Sequence, residues 1–246
     1  MKSAIVGLLS VVVALSLTAV SQGDVVYQSN FNTATNLTNA GMASVSSLWV
    51  LDTANDYLKW PHSGNTRGPV YTTNSWQCDL GFILDVTFRQ PSSGVRFEMG
   101  LVTSTYGIDG SSYWLTGGES GGYGIGFGTS GSLLGEGRNA VSGVGQGHAL
   151  AFNNGSGSGG DYGGSLRLSI DQGNVTYNAL QTLSIKVTGD SWSYSLNGAP
   201  ATTGSMTFDT SKSFRFCAYA QNINGAYISN ITLTAIPPAG TVFIVR

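Results

Sequence analysis

Residues 213–222 read SFRFCAYAQN, and the alternation in this stretch decides the fold. In a strand, successive side chains point to opposite faces. Phe214, Phe216, Ala218 and Ala220 then share one side, and Arg215, Cys217, Tyr219 and Gln221 share the other. A helical period would scatter both sets. The first set is core, and the second is expected to face a groove.

The same period recurs outward from this stretch. FILDVTFRQ (82–90) aligns Phe82, Leu84, Val86 and Phe88, and VRFEMGLV (95–102) aligns Val95, Phe97, Met99 and Leu101. LRLSID (166–171), LSIKVTG (183–189), SWSYSLNG (191–198) and ISNITLTAI (228–236) repeat the pattern. β-branched and aromatic residues fill these runs, while Gly, Asn, Asp and Pro punctuate the gaps. Asn197-Gly198 signals a tight hairpin turn, because both residues tolerate positive φ. No helix longer than a turn or two is expected. The chain reads as all-β with antiparallel pairing, a sandwich or jelly roll.

Residues 117–164 break the rhythm, holding 19 of the 35 glycines. They read as long loops between strands. A sharper reading makes them a low wall around the groove, where Tyr106, Tyr113, Trp114, Tyr123 and Tyr162 offer flat faces to sugar rings. GFGTSG (126–131) matches a dinucleotide fingerprint in form only, since no helix and no suitably placed acidic residue follow.

The first 23 residues read as a secretory signal peptide: Lys2, an apolar run over residues 4–19, then small residues. That run is shorter than the ~20 residues a spanning helix needs. The expected division is signal peptide 1–23, one β domain 24–236 and a short tail 237–246. The protein is expected to be secreted or at the cell surface, with no stable membrane anchor. Charged residues make up 10% of the chain, against ~25% in ordinary soluble domains. Such a chain is not built to neutralise phosphates, which excludes nucleic acid as a partner. Cys78 and Cys217 are the two cysteines; a disulfide and two buried thiols both remain open.

Three features, VVYQSNFNT (25–33), LSIKVTGDSWSYSLNG (183–198) and SFRFCAYAQN with AYISNITLT (226–234), together resemble the concanavalin A-like lectin/glucanase superfamily, especially its laminin-G-like modules. The resemblance implies a jelly roll of two curved antiparallel sheets, one lining a concave groove that binds a polysaccharide or cell-surface glycan. Trp114, Tyr123, Arg215, Tyr219 and Gln221 are the expected ligand contacts. Glucanases of this fold carry E-x-D-x-x-E, which sets two carboxylates ~5 Å apart. Glu98, Glu119 and Glu136 are the only glutamates and none lies in that pattern.

Alginate-lyase-like polysaccharide lyases offer an alternative resemblance, through Arg96-Phe97-Glu98, Gln146-Gly147-His148 and the 213–221 stretch. It implies Arg96 and Gln146 neutralising a uronate carboxylate, with His148 and Tyr219 as base and acid of a β-elimination. Gly147, Met99-Gly100, Ser213 and Phe216-Cys217 depart from the lyase pattern. A structural extracellular or surface-layer role is the third reading. No cofactor is required by any motif. Calcium could bind among loop carbonyls and Asp or Asn residues, as in many members of the superfamily, although no D-x-D-x-D loop is present.

Overall fold

The structure is a computed structural model describing residues 23–64, 66–91, 96–103, 123–128, 148–154, 166–171, 176–205, 207–209, 211–221 and 224–236. The expected signal peptide (save Gly23) and the tail (237–246) lie outside the described residues. In chain order the strands begin with β1 (Asp24–Ser29), β2 (Met42–Ser44), β3 (Val50–Asp52), β4 (Tyr57–Trp60), β5 (Arg67–Thr72) and β6 (Trp76–Gln77). Next come β7 (Gly81–Arg89), β8 (Arg96–Thr103), β9 (Tyr123–Gly128), β10 (His148–Asn154) and β11 (Leu166–Asp171). The last are β12 (Leu180–Thr188), β13 (Ser191–Leu196), β14 (Thr202–Ser205), β15 (Ser213–Gln221) and β16 (Ala226–Ala235). Among the described residues, helix is confined to one 3-10 turn, Val45–Ser47.

The strands form two antiparallel sheets, so the all-β jelly-roll sandwich expected from the alternation is what the chain adopts. The first runs β14-β13-β12-β7-β16-β4-β3, with β1 on β16. The second runs β11-β10-β9-β8-β15-β5-β2, with β6 on β15. Their inner faces share one core. Phe88 of the first sheet meets Phe97 of the second edge-on at 5.7 Å, and Phe127 meets Tyr194 at 6.2 Å. Trp49 links the layers as well: it packs on Trp60 at 5.5 Å while its Nε1 donates to the Gly68 carbonyl of β5.

Two local expectations change. Residues 117–164 are not loop throughout, since β9 and the whole of β10 fall inside them. Asn197 and Gly198 do adopt positive φ, 54° and 70°, with Ala199 N donating to the Leu196 carbonyl. They do not close a two-residue hairpin, however, because β14 pairs only from Tyr194↔Thr202 outward. The tight hairpin is one turn earlier, where Thr188 pairs Ser191 around Gly189-Asp190. Gly189 takes φ 54° there, with open space around it.

Candidate functional site

The outer face of the second sheet follows from register. On β15, Phe214, Phe216, Ala218 and Ala220 enter the main core, which turns Arg215, Cys217, Tyr219 and Gln221 the other way. Their β8 partners are Val102, Gly100, Glu98 and Arg96 in that order. Beyond β8, Glu98 pairs Gly128, Gly100 pairs Gly126 and Val102 pairs Gly124. Ala149 and Ala151 of β10 stand opposite Gly128 and Gly126. A lane of glycine and alanine positions therefore runs beside β8. A Cβ added at Gly100 would lie 2.2 Å from the Ile125 carbonyl oxygen, so the two backbones are too close for any side chain.

Contrary to expectation, the centre of this face is closed to water. Tyr219 is 1% exposed and Gln221 3%, as is Glu98. Val102, Cys217 and Tyr219 form a small apolar cluster of their own, with Tyr71 packed at its side. Apolar and aromatic residues on both faces of β15 are buried. Alternation identifies a face but does not say whether it is wet.

Among the described residues of this face, Arg215 and Tyr71 are partly exposed. Arg215 is half-buried and its guanidinium lies over the Tyr71 ring, 5.7 Å from the centroid. One terminal nitrogen donates to the Thr72 carbonyl at 3.4 Å. Its Nε is enclosed and has no hydrogen-bond partner among the described residues. The Thr72 hydroxyl accepts from Phe216 N at 3.1 Å, which fixes β5 against β15 at this point. Tyr71 escaped the sequence reading because RGPVYT has only Val70 as an apolar marker. Its parity against that buried valine was the available signal.

The remaining expected residues fall on β8, β9 and β10 or outside the described residues. Arg96 shares the outer register with Tyr219. His148 opens β10 in step with Leu150, which belongs to the core between the sheets. Tyr123 likewise falls in step with core Ile125 and Phe127. Gln146 and Trp114 lie outside the described residues, as do Tyr106, Tyr113 and Tyr162. Both cysteines are free thiols: Cys78 sits in the main core and Cys217 on the outer face, so the sheet separates them. Among the described residues no three His, Cys, Asp or Glu side chains come together as a metal site.

Known structures share this architecture over most of their length. The potassium-bound carbohydrate recognition domain of Emp46p matches with a TM-score of 0.60 at 13% identity, over 85% of this chain and 96% of that one. The fold is concanavalin A-like. The exoplasmic/lumenal domain of VIP36 in its Ca2+/Man-bound form matches this concanavalin A-like sandwich with a TM-score of 0.55 at 13% identity. The overlap covers 82% of this chain and 84% of that domain's chain. A Bacillus subtilis protein of unknown function with a galectin-like fold matches with a TM-score of 0.58 at 7% identity, over 87% and 97% of the two chains. At these identities the concanavalin A-like likeness is one of fold. No protein-family model and no curated protein matches the sequence.

Proposed function

We propose that the protein is an exported carbohydrate-binding sandwich that takes a polysaccharide or cell-surface glycan at the Tyr71–Arg215 margin of its second sheet. The observation that carries this reading is the guanidinium of a partly exposed arginine seated on a tyrosine ring. An aromatic face supports the C–H side of a pyranose, and a guanidinium supplies donors to its hydroxyls or to a uronate carboxylate. The shared fold with the carbohydrate recognition domain of Emp46p and with the mannose-bound VIP36 domain supports the same reading. The signal-peptide pattern of residues 1–23 supports export. Calcium would need six to eight oxygen ligands, and the described residues supply no cluster of carboxylates for it.

The test is a glycan array probed with the wild-type chain, Tyr71→Ala and Arg215→Ala. Binding should fall by about tenfold or more in each variant, the weight of one good contact. Array binding that both variants retain in full, or none for the wild type, defeats the reading.

A further inference from the structure

A separate cavity opens where β1 leaves the first sheet and the chain crosses toward β2 in the second. Its volume is about 330 Å³, at the lower end of the ~300–1,000 Å³ typical of small-ligand sites. Every polar side chain on its wall is a neutral amide or hydroxyl: Gln28, Ser29, Asn30, Thr33 and Asn39. No charged residue lines it.

The wall is held in place before any ligand arrives. Tyr27 Oη donates to the Ala40 carbonyl at 2.8 Å, tying the far side of the loop back to β1. Ala40 N donates to the Asn36 carbonyl, Met42 N to that of Leu37, and Thr73 N to that of Gly41. Phe31 is buried at 1% exposure and takes φ 63°, a left-handed conformation that a bulky residue adopts only when its surroundings impose it. That bend turns Asn30 and Thr33 to the cavity on either side of the buried ring. Among the described residues no hydrogen bond engages the carboxamides of Gln28 or Asn39, so both keep donors and acceptors for a ligand.

We propose that this cavity is a binding subsite for a single neutral sugar unit. A carboxamide presents a donor and an acceptor side by side, and a sugar hydroxyl is both at once. An ionic ligand would meet no counter-charge there. The Tyr71–Arg215 margin has the opposite character, with a cation at its centre, and the cavity proposal does not depend on it.

Titration of the isotope-labelled chain, followed by NMR at its side-chain amide signals, tests the assignment. The probes are the methyl glycosides of glucose, galactose and mannose, with glucuronic acid as the charged counterpart. At least one neutral glycoside should give saturable shifts at the Asn30 and Asn39 carboxamides, with glucuronic acid at least tenfold weaker. Asn39→Asp should weaken the neutral ligand at least tenfold, and Arg215→Ala should leave it unchanged. Should Asn39→Asp not fold, Gln28→Glu on the exposed edge of β1 serves the same purpose. The proposal is overturned if none of the three glycosides saturates these signals. It is equally overturned if the charge substitution leaves the affinity intact, if Arg215→Ala abolishes it, or if glucuronic acid binds equally well. Loss of glycan-array binding in Arg215→Ala bears only on the sheet margin, so the two sites fail separately.

Discussion

Cys78 and Cys217 show how a buried group reports its surroundings. Burial pushes the Cys78 thiol up to about 11, with the Asp79 charge adding to it. Cys217 is raised by burial first and by the Glu98 charge second, while Arg215 opposes the shift. Neither thiol is a nucleophile near neutral pH. A disulfide reagent should therefore leave both unmodified in the native protein and titrate two thiols in denaturant. Rapid native labelling would contradict their burial. The same physics sets an alkaline limit. Tyr27 is raised to about 12 by burial, against an ordinary value of 10.0. The folded protein retains these protons after the unfolded chain has lost them, so stability is fully present below about pH 9 and falls as pH rises toward 12. Urea midpoints should decline across that window, and a flat profile would be inconsistent with buried neutral groups. Alternation in the sequence set Cys217 on the face of β15 away from the core. It could not show which of the outward-pointing residues there were covered, because alternation reports direction and not burial.

At the scale of the element, the glycines of β9 account for the largest gap between sequence and structure. YGIGFG (123–128) carries a weak strand signal, since Gly costs a strand backbone entropy and side-chain contacts. Tertiary pairing overrides this: Ile125 and Phe127 are fully buried and anchor the strand from its inner face. The pairing in turn requires Gly100, whose added Cβ would meet both the Ile125 carbonyl and the Gly126 backbone. Gly100→Val should cost about 1–3 kcal/mol by overpacking against backbone that cannot yield, read as a lowered urea midpoint. A variant as stable as wild type would mean that β8 and β9 are not paired at this register. The Gly189-Asp190 hairpin follows a different rule. Open space surrounds Gly189, so Gly189→Ala incurs only the penalty of positive φ, about 1–2 kcal/mol. Asn197-Gly198 was the stronger hairpin signal in sequence, yet Thr182 N donates to the Asn197 side chain at 3.0 Å. That bond ties the turn to β12, and the loop to β14 widens beyond it.

For the whole molecule, alternation could reveal two layers but not their strand order. β15 lies between β8 and β5, and β16 between β7 and β4, pairings that join segments more than a hundred residues apart. Such register depends on which faces fit, and a single sequence does not display that. One cooperative unit is the consequence, because aromatic rings from both sheets meet in one core. Phe88 tests this directly: its ring contacts Phe97 at 5.7 Å and Phe127 at 6.2 Å, both on the opposing sheet. Phe88→Ala removes a fully buried ring and should cost about 3–5 kcal/mol, a large share of the ~5–15 kcal/mol that stabilises a typical domain. Trp49 and Trp60 bridge the same layers, so their fluorescence and the far-ultraviolet circular dichroism should still change together in urea. Two separated transitions in the variant would show that the sheets hold independently. The inter-sheet contact would then be packing added to two stable layers rather than the interaction that makes them one domain.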